Sequence, residues 1–218
     1  MSMDRKSLKS LLLLGVTTLL VSCSGLKKCG DADTGTNSIA FTGAPLKGDY
    51  TRVLYKAGME AFGKQFSGIF LIKPVPADSS FRVVMLSEFG LNLMDMSVGK
   101  SGTTINNCQE FLNRPVIIHS IEKNVRMLVF MPDCMKDSRR FTNRKTGDIV
   151  YKSRKGLTKY SYFYGRDSLP ARIEQRRCFG EKLFLHLGYD STAMPSAISF
   201  YGRPVKHSMK LSLLNVEK

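Results

Sequence analysis

The chain has no tryptophan, three histidines and five cysteines among its 218 residues. Those shortages exclude several classes of protein. His119, His186 and His207 lie far apart in the sequence, and no Cys-x-x-Cys or Cys/His spacing suits a zinc ion. Each histidine reads as a surface or structural residue. Acidic residues are also few, with 18 Asp and Glu against 33 Lys and Arg. There is no nucleophile elbow, no zincin motif and no close acid pair beside a histidine, so the sequence argues against an enzyme. Gly99-Lys100-Ser101 lacks the Gly that a phosphate loop places five residues earlier; Met94 stands there, and a hairpin turn is the expectation. No apolar run approaches the 20 or so residues that a membrane-spanning helix needs. The longest, Leu11–Val21, has eleven residues.

That short run is informative for what surrounds it. Arg5, Lys6 and Lys9 precede it, and Leu20-Val21-Ser22-Cys23 closes it. A basic segment, an apolar segment and a small residue in that order describe a cleaved export signal over 1–22. The last four residues resemble the bacterial lipobox, which implies diacylglycerol on the Cys23 thiol and Cys23 as the mature N-terminus. Ser24, rather than Asp, follows it, which is compatible with onward sorting to the outer membrane. The mature chain then keeps 30 Lys and Arg against 17 Asp and Glu, a net charge near +13. In an exported protein such an excess points to anionic membrane lipid and not to nucleic acid. Cys29, Cys108, Cys134 and Cys178 remain, and three complete disulfide pairings are open to them.

Residues 23–48 are rich in Gly, Ser, Thr and Asp without periodicity, and read as the lipidated N-terminus and a flexible tether. Residues 49–218 read as one domain; an apolar fraction of 43% with thirteen Phe supports a real core. Tyr50, Val53, Leu54, Ala57, Ala61 and Phe62 recur at helical steps behind Asp49, so a helix is expected over 50–65. FSGIFLIKPV, SFRVVMLSEF and LNLMDMSV then read as strands, followed by a short strand near 105–111. Pro115 opens a second helical pattern, 115–130, about 24 Å long, which makes a bond between its flanking Cys108 and Cys134 hard to form. The basic stretch 133–155 reads as an exposed connection. YSYFYG, ARIEQRRCF, EKLFLHLGY, AISFYG and MKLSLLNV complete the chain as five strands. A mainly β fold follows: an incomplete antiparallel β-barrel, or strongly curved sheet, closed by helices on its concave side.

This order of elements resembles the bacterial lipoprotein carriers and receptors LolA and LolB. The resemblance rests on FRVVMLSEFGLNLMDM at 81–96, on the Pro-opened helix 115–130, and on YDSTAMPSAISFYGRPVKHSMKLSLLNV at 189–216, where Pro195 precedes the penultimate strand. It implies a monomer whose apolar interior receives the acyl chains of cargo lipoproteins, handed over by a periplasmic carrier protein, with no cofactor. Cys23 favours the receptor side of that family, lipid-anchored in the outer membrane and facing the periplasm. The alternative is a lipid-binding or scaffold lipoprotein of the envelope with a different cargo. The family's receptors expose an apolar side chain after their third strand, and the matching residue is Phe89, an aromatic ring where an aliphatic side chain is usual. The long basic connection is a second departure. Acyl chains suit an adaptable lining, which Met and Phe provide. The candidates are Phe70, Ile72, Val84, Leu86, Met94 and Met96, although most of the 11 Met and 13 Phe simply fill the core.

Overall fold

A computed structural model describes residues 44–46, 49–61, 63–143, 146–165, 169–178, 180–190, 193–203 and 207–218. The expected export signal, Cys23, Cys29 and most of the tether lie outside the described residues. Twelve strands form one antiparallel sheet: β1 (Arg52–Ala61), β2 (Lys64–Val75), β3 (Ser80–Ser87), β4 (Asn92–Val98), β5 (Thr103–Cys108), β6 (Arg139–Thr142), β7 (Ile149–Lys155), β8 (Thr158–Tyr164), β9 (Pro170–Arg177), β10 (Lys182–Tyr189), β11 (Pro195–Arg203) and β12 (His207–Glu217). Their order is β5-β4-β3-β2-β1-β12-β11-β10-β9-β8-β7-β6. The first and last strands therefore pair at the centre, and β5 and β6 are open edges. The sheet is an incomplete, curved barrel. Among the described residues one α-helix, α1 (Pro115–Val129), lies in the connection between the two edges.

The helix expected over 50–65 is a strand instead. Val53, Tyr55, Ala57 and Met59 are all buried and alternate with Arg52, Leu54, Lys56, Gly58 and Glu60. The period is two, and β1 pairs with β2 and β12 on either side. Gly58 in mid-segment disfavours a helix by up to about 1 kcal/mol. The basic connection also contains structure: it holds β6 and β7, with Arg139 opposite Lys152 and Thr142 opposite Ile149. Helix α1 conforms to expectation, with Pro115 as its first residue, where a missing N–H costs nothing. Its apolar face, Ile117, Ile121, Val125 and Leu128, belongs to the same core as the inner face of the sheet. Cys108, Cys134 and Cys178 are free thiols.

Leu46, within the stretch read as a tether, is buried and donates its N–H to the Leu128 carbonyl at 3.0 Å. Strands β2 and β3 approach so closely at Gly68 that a Cβ there would stand 1.9 Å from the Leu86 carbonyl oxygen. Only glycine fits that backbone.

On the outer face of β3 and β4, Arg82 donates from Nε and Nη2 to both oxygens of Asp95, at 2.6 to 3.2 Å. Asn106 Nδ2 adds a third donor at 3.0 Å. The Arg82 hydrogen bond leads in holding the Asp95 carboxyl below its ordinary range; burial opposes that shift and Asn106 assists it. A depressed carboxyl contributes stability above its unfolded pKa, and that contribution is lost as the pH falls through the folded value. Arg82→Met should therefore destabilise the fold at pH 7, by less than the loss of a fully buried pair because the Arg82 side chain is half exposed. Urea unfolding at pH 7 and pH 3 checks this. The cost should shrink at pH 3, and an equal cost at both would rule the pair out as its source.

Candidate functional site

Register decides which side chains share the inner face. Phe70 lies opposite Met85, which lies opposite Met94; Ile72 lies opposite Val83, which lies opposite Met96. These two rows cross β2, β3 and β4, and all six side chains have no exposed surface. Phe70, Ile72, Met94 and Met96 are thus brought together as the sequence suggested. Val84 and Leu86 are not. Val84 sits between Leu71 and Asp95, and Leu86 opposite Ile69, on the outer face. In "FRVVML" both parities are apolar, so pattern alone could not choose between them. Val83 and Met85 take the inner positions.

The other half of the sheet adds Leu183, Leu185, Ile198, Phe200, Met209 and Leu211 to the same apolar interior. Tyrosines supply its polar points. Tyr55 donates its hydroxyl to the Pro195 carbonyl at 3.0 Å, and Tyr189 donates to the Pro170 carbonyl at 3.3 Å. Burial pushes Tyr50 up to about 12, and it raises Tyr55 and Tyr189 as well, so all three are neutral donors at any physiological pH. The Tyr50 hydroxyl is buried with no hydrogen-bond partner among the described residues.

Helix α1 covers this interior and is latched at its sides by polar contacts. Lys123 forms an ion pair with Glu181, just before β10. Glu122 accepts from Thr103 Oγ1 of β5 at 2.7 Å and from Arg126 Nε at 2.9 Å. Burial alone would raise the Glu122 carboxyl, but these hydrogen bonds outweigh it and hold the group low. Phe130, just past the helix, meets Phe81 edge-on at 5.4 Å. The interior side chains of the sheet and those of the helix pack into one core. Sequence periodicity found the helix but not its latches, because Thr103 of β5 and Glu181, just before β10, lie outside it.

The turns β1–β2, β3–β4, β7–β8, β9–β10 and β11–β12 share one rim of the sheet, as the strand directions require. Phe89 caps the β3–β4 turn and is 91% exposed; Leu91 beside it is 64% exposed. The turn is held without the ring. Ser87 Oγ accepts from the N–H groups of Phe89 and Leu91, Gly90 donates to the Ser87 carbonyl at 3.0 Å, and Gly90 takes a φ of +79°. Leu157 projects from the β7–β8 turn of the same rim, 55% exposed. Among the described residues no cluster of three His, Cys, Asp or Glu could hold a metal ion.

No protein-family model matches the chain, and no curated protein matches it in sequence. Among solved structures it is similar to a DUF1329 family protein from Desulfovibrio piger, at 8% identity and a TM-score of 0.44, over 77% of this chain and 85% of that one. It is similar also to a Vibrio parahaemolyticus domain named for outer membrane lipoprotein sorting, at 8% identity and a TM-score of 0.44, over 78% of this chain and 86% of that one. Likeness this distant carries no argument about function, which rests on the residues.

Proposed function

We propose that the chain is a lipid-anchored envelope protein that accepts acyl chains between sheet and helix and helps place lipoproteins in the outer membrane. The observation that carries this reading is the interior itself: an apolar, Met-rich concave face, left open by the sheet and covered by a helix latched through polar side chains. A lipoprotein crossing water exposes acyl chains at about 0.8 kcal/mol per CH₂, so it needs a dry cavity that can deform to fit. Methionine side chains supply that adaptability. Cys23 would hold the chain at the membrane, and Phe89 would direct the mouth of the cavity toward it.

Complete burial of the lining favours a second reading, a half-barrel scaffold whose core is simply filled. Native mass spectrometry of the full chain, released gently from detergent, separates the two. The first reading expects non-covalent adducts with the mass of diacyl lipids, displaced by added fatty acid. A chain that carries no adduct, and takes up no fluorescent fatty acid, is the scaffold.

A further inference from the structure

The outer face of β7–β11 carries an alignment of charge that the acyl-binding reading does not use. Arg154 lies directly opposite Lys159, Lys159 opposite Arg176, Arg176 opposite Lys182, and Lys182 opposite Arg203. Five cations from five adjacent strands thus form one unbroken row. At about 4.8 Å between strands the row is about 19 Å long. Like charges directly opposite one another in a sheet oppose folding, so such a row is costly unless something compensates it. The protein compensates little of it. Arg176 shares Glu174 with Arg172, at 2.7 and 3.3 Å. Arg154, Lys159, Lys182 and Arg203 form no ion pair among the described residues. Beside the row is a shallow pocket of 620 Å³ in which Arg176, Lys182 and Arg203 meet Phe184, His186 and Tyr201, with Glu60 as the one carboxylate in its lining.

We infer that this row is a docking strip for the anionic head groups of a bilayer. Its position selects that polyanion over a nucleic acid. The row runs along the rim whose turns expose Phe89, Leu91 and Leu157, and apolar tips beside a line of cations match an acyl boundary beneath a phosphate layer. Nucleic acid would leave those tips without a partner. The choice of a membrane rests on the proposed function; the row itself does not. The strip sets how the rim meets the surface, a task distinct from holding the chain there, which belongs to Cys23.

The test uses the full chain made without lipidation and three sets of vesicles: pure phosphatidylcholine, the same with 30% phosphatidylglycerol, and the latter with added inorganic phosphate. Wild type is compared with Lys159→Gln/Lys182→Gln/Arg203→Gln and with an equal loss of charge elsewhere, Lys56→Gln/Lys73→Gln/Lys100→Gln. Three cations near an anionic surface together govern about a hundredfold in partitioning. The row variant should lose about that factor on anionic vesicles only, with a thermal midpoint unchanged or raised. The control variant should stay within about threefold of wild type, and free phosphate should compete weakly. An equal loss in both variants would reduce the strip to net charge, and displacement by millimolar phosphate would make it a phosphate site; either overturns the inference, as does tighter binding to a DNA duplex than to anionic vesicles. If the row variant folds poorly, Lys182→Gln alone should still lose several-fold. Acyl-chain uptake by the row variant is read in the same samples: unchanged uptake with unchanged partitioning refutes the strip alone and leaves the proposed function standing.

Discussion

Phe89→Glu should leave the protein folded and membrane-anchored while its delivery of lipoproteins falls about ten- to a hundredfold. The folding half of this follows from geometry. At 91% exposure the ring contributes no packing, and the turn is built by Ser87 and by the φ of Gly90, so the stability change should stay within about 0.5 kcal/mol. The delivery half follows from the proposed function. Burying a Phe side chain in an apolar phase is worth roughly 1.5–3 kcal/mol, and a carboxylate in its place is repelled by anionic head groups. Leu91 would keep part of the contact, which is why the loss is not total. The measurement is transfer of a labelled lipoprotein to outer-membrane vesicles, with a thermal melt on the same preparation. Full transfer by the folded variant would remove Phe89 from the mechanism.

Much of this fold could be read from sequence, and the parts that could not share a physical cause. Strands β2, β3 and β4 and helix α1 announce themselves through local period and through their breakers, Pro76, Gly90 and Pro115. Residues 50–62 misled because Tyr50, Val53, Leu54 and Ala57 satisfy a helical period while Val53, Tyr55, Ala57 and Met59 satisfy a strand period; only pairing with β2 and β12 selects the second. Val84 and Leu86 read as candidate lining in the sequence for a similar reason. Parity within a strand flanked by apolar residues is set by its neighbours, since a shift of one residue reverses every side chain. The cation row is the extreme case. Its members stand at 154, 159, 176, 182 and 203, a spacing with no period, and they meet only because four registers agree. Phe89 was the opposite, a local feature with local consequences: a large ring in a tight turn between two strands is exposed on almost any arrangement of them.

The rim that carries Phe89 and the cation row is the one opposite to where the chain enters. Leu46 is fastened to the end of α1, beside the start of β1, at the far rim. A strand of ten residues is about 33 Å long. On the proposed function, the 22 residues from Cys23 to Ala44 have a contour length of up to about 70 Å, enough to let the Phe89 rim face the bilayer that would hold Cys23. Anchor and rim are therefore separable, and variants at each should show different defects. Loss of the anchor would release the protein; loss of the rim would leave it attached and inactive.

The interior should give the second large effect. Met94→Asp places a carboxylate in the fully buried position between Met85 and Cys108, beside Met96. An unpaired charge there costs several kcal/mol, and the group would escape part of that cost by staying protonated. Its folded pKa would then lie above its unfolded value, so the penalty should grow as the pH rises past about 4 and be smallest in acid. Met94→Leu keeps the volume and polarity and should cost less than about 1.5 kcal/mol. Stability alone would be the same for a filled core and for a lipid cavity, and ligand linkage separates them. A ligand present at a hundred times its dissociation constant stabilises the folded state by about 2.7 kcal/mol. A saturating fatty acid should therefore raise the melting temperature of the wild type and of Met94→Leu by several degrees, and leave that of Met94→Asp unmoved under conditions where it is still folded. If fatty acid shifts no melt, or shifts all three alike, the interior is a core and not a cavity, and the half-barrel must do its work from the outside.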